Sequence, residues 1–166
     1  MTVGDGFDAS RIGERVLVRN MLRSYVDWRT YACWTFGSEI DGGFAQFTVA
    51  PARETYAISC DWSDAELASI PCAYSTAENM LYRAGVGAER VLITGASGEV
   101  GSAAVQLAKR RGATVIALCG ASKTAEVKAL GADLCIERDA DLVAALGHNS
   151  VDVVIDMVGG RAFPAY

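Results

Sequence analysis

The sequence holds one histidine and three prolines. No stretch of it approaches the ~18–20 uninterrupted apolar residues that a membrane span needs. Basic residues are in the minority, 15 against 20 acidic, for a formal net charge of −5. That balance argues against a surface built for nucleic-acid phosphates or anionic lipid. It leaves room for a small anionic ligand, because a local cluster of backbone N–H groups binds one whatever the net charge. The opening residues Met1 to Gly6 lack a basic segment followed by an apolar run, so they do not read as a secretory signal. No CxxC pair occurs among the five cysteines, Cys33, Cys60, Cys72, Cys119 and Cys135. An odd number without such pairs reads as reduced thiols in a cytoplasmic protein, most of them small buried side chains. Repeats, low-complexity tracts and charge blocks are also missing.

What is present is ample apolar material, 51% of the 166 residues, with 21% charged. Disorder is therefore not expected. At about 150 residues per domain the length fits one domain or two incomplete ones. The pattern changes near Ser63, dividing residues 1–62 from 63–166. Before it lie strand candidates at Arg15–Arg19, Phe44–Ala50 and Tyr56–Ile58. In the second of these Ala45, Phe47 and Val49 share one face, and Pro51 ends it. The aromatic-rich stretch from Met21 to Ile40 reads as a long loop or lobe.

After Ser63 the pattern is regular. Ser63 and Glu66 have capping-box spacing for a short helix ended by Pro71. A second helix is expected over Ser75–Ala84. Strands are expected at Val91–Thr94, Thr114–Leu118, Leu134–Ile136 and Val151–Asp156. Helices between them follow from Val100 to Arg111, Lys123 to Leu130 and Asp139 to Leu146. This alternation implies βαβ units and a parallel sheet.

Between the first of these strands and its helix lies Thr94-Gly95-Ala96-Ser97-Gly98-Glu99-Val100-Gly101. Read as AxGxxG, each position has a physical task. A small residue at Ala96 permits the tight turn, Gly98 lets backbone approach a pyrophosphate, and Gly101 lets the helix pack on the sheet. The helix start adds free N–H donors and about half a positive charge. The same triplet also serves as a tight turn that binds nothing. The strands and helices in the required order on both sides favour the dinucleotide reading.

About 20 residues further on, an NAD site usually carries an acid for the ribose hydroxyls. This chain has Leu118-Cys119-Gly120-Ala121-Ser122-Lys123 there, with no carboxylate. Ser122 can donate a hydrogen bond and Lys123 brings a cation, which favours NADP(H) over NAD(H). Alternatively Ser122 caps the next helix and Lys123 is a solvated surface lysine.

Together these residues resemble the medium-chain dehydrogenase/reductase superfamily, which contains zinc alcohol dehydrogenases and quinone reductases. The matching stretches are Asp41 to Val49, Ile70 to Ala77, Val91 to Lys109, Leu130 to Asp133 and Val151 to Gly160. The resemblance implies an α/β protein: a partial GroES-like β-barrel catalytic domain (1–62) followed by a partial Rossmann domain (63–166) with a doubly wound parallel sheet. It implies hydride transfer between NADP(H) and an alcohol or carbonyl, or a quinone or enone. By the same resemblance Ala96, Ser97, Gly98, Val100 and Gly101 line the pyrophosphate, and Ser122 and Lys123 meet the adenosine phosphate. Thr76 lies near the nicotinamide, and Val158 and Gly159 near the cofactor ribose. Catalytic residues are not assigned.

Cys72 falls where zinc-dependent members place one ligand of a catalytic zinc, which needs three protein ligands in all. The favoured alternative is a small apolar residue under the cofactor domain. His148 reads as a surface or helix-end residue, and Cys33 stands apart from any four-cysteine zinc lobe. Zinc is therefore expected only if segments outside this chain supply the other ligands. Family members run to roughly twice this length, as two domains require. The chain accordingly reads as an internal fragment or truncated product. An unfinished sheet and the family's habit favour a homo-oligomer, a dimer or higher. The competing expectation is a non-catalytic nucleotide-binding or scaffold module.

Overall fold

Successive residues of a strand point to opposite faces of a sheet. In the computed structural model, which describes residues 3–25 and 31–159, this rule organises the second part of the chain. The strands are β5 (Arg90–Ile93), β6 (Thr114–Cys119), β7 (Leu134–Glu137) and β8 (Val153–Ile155). They form one parallel sheet in the order β7-β6-β5-β8. Val91 and Ile93 of β5, with Val115, Ala117 and Cys119 of β6, enter one core. Leu92, Ile116 and Leu118 enter another, which Ile136, Leu142, Leu146 and Val154 complete. A sheet buried on both faces needs strands that are apolar on both faces, and after their exposed first residues, Arg90 and Thr114, β5 and β6 are. Each large aliphatic side chain so buried contributes about 1.5–3 kcal/mol.

Helix α3 (Glu99–Arg110) covers the first core with a stripe of small residues, Ala103, Ala104 and Ala108, all fully buried. Their size lets the helix approach the strands closely. Beside it runs α2 (Ile70–Arg83). Tyr74 Oη accepts from Gln106 Nε2 at 2.9 Å, and the Arg111 guanidinium pairs with Glu78, so α2 and α3 are tied at two points. The short helices α4 (Thr124–Ala129) and α5 (Leu142–Leu146) follow β6 and β7. Asp141 caps α5 by accepting from Ala144 N at 3.0 Å.

Residues Cys72–Tyr166 form one compact unit and Met1–Pro71 another. In the latter, β1 (Val16–Val18) pairs antiparallel with β4 (Thr55–Ala57). Arg15 reinforces this pair, its guanidinium donating to Asp64 Oδ1 and to the carbonyls of Cys60 and Trp62. Asp64 begins α1 (Asp64–Ala68), whose capping box joins Ser63 and Glu66 as the spacing requires.

Several expectations are corrected here. Met21–Ile40 is not a plain loop: β2 (Met21–Tyr25) and β3 (Tyr31–Thr35) form an antiparallel ladder from Met21↔Thr35 to Tyr25↔Tyr31. Its connecting residues, Trp28 among them, lie outside the described ones. Phe44–Ala50 is not a strand. Alternation states which face a strand would bury, but a strand forms only where another edge takes its N–H and C=O groups. Among the described residues this segment has no ladder partner, and Phe44, Phe47 and Val49 are exposed. Pro71 does not end α1 but sits in the first turn of α2, where a missing N–H is no loss. Of the five cysteines only Cys119 is buried, while Cys60 and Cys72 are exposed. Among the described residues no helix is long and apolar enough to cross a membrane.

Candidate cofactor site

The sheet order places β5 between β6 and β8: the chain runs outward from β5 through β6 to β7, then crosses back to lay β8 on the other side of β5. Open α/β sheets bind ligands outside the carboxyl ends of their strands at such a switch point. There β5 runs into Thr94 and then Gly95, whose φ of +59° favours glycine. Ala96 is fully buried, and its amide donates to the Leu118 carbonyl at 3.1 Å. Its part is therefore to shape the turn and tie it to β6. Gly98 N donates to Gly95 O at 3.0 Å and closes the turn.

Gly98 is also the N-cap of α3, and it has no side chain with which to cap the helix. Ser102 N bonds back to Gly98 O at 2.8 Å. The amides of Glu99 and Val100 precede that first helical bond, so the helix has no carbonyl to offer them. Donors and the positive end of the macrodipole thus point out of the turn together.

The two glycines of α3 differ in what requires them. A Cβ on Gly101 would lie 2.1 Å from Gly95 O and 2.7 Å from Ala96 Cα, so the packing of α3 on the turn demands glycine. A Cβ on Gly98 would meet only Gly95 O, at an ordinary 3.4 Å, and its φ of −80° is open to any residue. Nothing among the described residues demands glycine at 98. A cradle that a Cβ would fill is what close approach of a phosphate requires, and these residues fit a dinucleotide diphosphate.

A second turn follows β8 and meets the first. Thr94 is buried, and its Oγ1 donates to Asp156 Oδ1 at 2.5 Å while accepting from Met157 N at 2.9 Å. Asp156 also accepts from Val158 N at 3.1 Å and Gly159 N at 3.0 Å. Val158 is exposed, and its Cγ2 lies 3.2 Å from where a Cβ on Gly95 would stand. Partial burial pushes the Asp156 carboxyl up, but the hydrogen bonds from Thr94, Gly159 and Val158 outweigh it and hold the group below the usual carboxylate range. Asp133 is also held low, chiefly by the hydrogen bond from Lys109 Nζ at 2.9 Å, with Val115 N adding to it at 2.7 Å.

A depressed carboxyl stabilises the fold above its unfolded value, about 3.9 for aspartate, and that stability is lost as pH falls through the lower folded value. The urea midpoint is therefore expected to hold level from neutral pH to about pH 5 and to drop below about pH 4. Asp133→Asn should lower the neutral midpoint and flatten this acid limb.

The remaining expected residues are divided between the loops at the ends of the strands, the start of α3 and α2. Ser97 is exposed in the turn, while Val100 is half-buried against the core. Ser122 and Lys123 sit exposed in a 3-10 turn directly after β6. Lys123 Nζ pairs with Glu126 at 3.0 Å. Thr76 is exposed on α2, outside the hydrogen-bonded group of the two turns. Cys72 is exposed as well, and among the described residues no group of three or more His, Cys, Asp or Glu could hold a metal. The described residues therefore do not by themselves make a zinc site around Cys72. Thr94 and Asp156 escaped the sequence reading as site residues. Each reads as the polar end of a strand, and their pairing across 62 positions has no local signature.

Comparison with known proteins agrees with this geometry. The family described as zinc-binding dehydrogenase matches residues 100–166. A putative alcohol dehydrogenase from Sinorhizobium meliloti superimposes with a TM-score of 0.86 at 42% identity, over 98% of this chain and 46% of that one. The quinone oxidoreductase of Thermus thermophilus, described with its NADPH complex, gives a TM-score of 0.70 at 27% identity, over 81% and 45%. The chloroplast envelope quinone oxidoreductase homolog of Arabidopsis thaliana is 37% identical over 135 residues, 75% of this chain and 41% of that one. The chain spans less than half the length of each of these relatives. The fold is thus a Rossmann-type parallel α/β unit preceded by part of a GroES-like domain. The chain belongs to the medium-chain dehydrogenase/reductase superfamily.

Proposed function

We propose that the protein carrying this chain transfers hydride between NADP(H), taken in preference to NAD(H), and an alcohol, carbonyl, quinone or enone. In this reading residues 63–166 are the nucleotide-binding domain and 1–62 part of the catalytic domain. One observation carries the reading: the start of α3 presents amide donors beside a glycine, Gly98, that the chain's own packing does not need. A bound nicotinamide supplies the hydride donor or acceptor. The chain's residues bind and orient it. Ala96 shapes the turn, and Ser97, Gly98, Glu99, Val100 and Gly101 form the wall against the pyrophosphate. Val158 and Gly159 flank the ribose, and Thr76 stands towards the nicotinamide.

The preference for NADP(H) rests on the end of β6, where Cys119 and Gly120 stand in place of a carboxylate and Ser122 and Lys123 follow, exposed. Glu126 already engages Lys123, which limits what the cation adds. Titration of the full chain is expected to give tighter binding of NADPH than of NADH. Lys123→Gln should reduce that preference by about fivefold, as an exposed charge pair worth about 1 kcal/mol would. Tighter binding of NADH would defeat the assignment. NADPH oxidation coupled to a small quinone is the activity readout. Binding without turnover would instead favour a non-catalytic nucleotide-binding module.

A further inference from the structure

The β5–β8 ladder ends at Ile93↔Ile155, with one more bond from Thr94 N to Ile155 O at 3.1 Å. Among the described residues backbone pairing between the two strands stops there, and side chains hold the two turns in register. Three successive amides of the second turn, those of Met157, Val158 and Gly159, converge on Thr94 Oγ1 and the Asp156 carboxylate. Gly159 adopts a φ of +62° there. The same bonds hold Val158 over Gly95, the first residue of the phosphate turn after Thr94.

We infer that Thr94 and Asp156 are positioning residues that set the spacing between the phosphate turn and the β8 turn, and with it the seat of the nicotinamide half of the dinucleotide. The inference rests on the proposed function, and it adds residues that act on the ligand only through the turn they hold. Two features carry it. Thr94 is buried and uses its hydroxyl twice, once as donor and once as acceptor, which a residue needed only for packing would not require. Asp156 accepts from three donors, all in the two turns and none in the hydrophobic core. The pair therefore fixes the geometry of the sheet's carboxyl edge more than it fixes the sheet.

The test compares the full chain with Thr94→Val, Thr94→Ser and Asp156→Asn. Dissociation constants are measured for NADPH and for 2′,5′-ADP, which carries only the adenosine half, and the thermal midpoint is recorded for each variant. Thr94→Val keeps the volume and removes the hydroxyl. It and Asp156→Asn are expected to weaken NADPH by about tenfold, the worth of a hydrogen bond to a charged group, and to leave 2′,5′-ADP within about twofold. Thr94→Ser should recover most of the NADPH affinity. Equal weakening of both ligands would overturn the inference, since that is what general loosening of the domain produces. So would wild-type NADPH affinity in Thr94→Val. If the unaltered chain binds neither ligand, the proposed function falls and the inference with it. If it binds both and the variants do not separate them, the inference alone falls.

Discussion

Gly101→Ala is expected to destabilise the parallel α/β unit by about 3 kcal/mol or more, at the upper end of what overpacking costs. The added methyl would lie 2.1 Å from Gly95 O and 2.8 Å from Gly95 C. Both atoms belong to backbone held by the neighbouring strands, so no side-chain rotation relieves the overlap. Relief requires α3 to lift from the turn, which opens the contact of Ala104 and Ala108 with the sheet core. Domain stabilities are only about 5–15 kcal/mol, so the loss is a large part of the whole. Urea denaturation followed by far-UV circular dichroism measures it. A midpoint within experimental error of the parent would show that α3 does not pack on the turn as described.

Gly98→Ala is expected to have the opposite profile. Its methyl meets only Gly95 O, at 3.4 Å, and its backbone lies in an extended region open to alanine. Alanine is a poorer N-cap than glycine, so stability should fall by no more than about 1 kcal/mol. The methyl would instead stand where a pyrophosphate approaches the turn. NADPH affinity should fall by more than about thirtyfold, the equivalent of about 2 kcal/mol for a displaced set of charge-assisted hydrogen bonds. Isothermal titration beside the denaturation curve separates the two effects. Unchanged affinity in a folded Gly98→Ala protein would remove the main support for a cofactor at this turn. If the proposed function holds, the paired variants separate a glycine that serves the fold from one that serves a ligand.

Much of the parallel unit was legible because its signals are local. A buried parallel strand is apolar at every position, and Val91-Leu92-Ile93 and Val115-Ile116-Ala117-Leu118 are such runs. The capping box at Ser63 and the glycines after α3 and α4 mark helix ends by chemistry confined to a few residues. The first part of the chain was harder to read because antiparallel strands depend on partners. Phe44–Ala50 alternates as a strand would, yet pairing, not alternation, makes a strand. The β2–β3 ladder hides in an irregular aromatic stretch because its residues do not alternate cleanly. Pro71 shows the same limit on a smaller scale, since the residue that stops one helix is also suited to begin the next.

From its residues alone the chain specifies a βαβ unit with a phosphate-type turn, since apolar runs, helix caps and small residues at fixed offsets act over a few positions. Folding in three dimensions adds the tight packing at Gly101 against the open space at Gly98, the diversion of the Ala96 amide to Leu118, and the meeting of Thr94 with Asp156. Each of these joins groups on different elements, and only the order of strands in the sheet brings such groups within hydrogen-bonding or van der Waals distance.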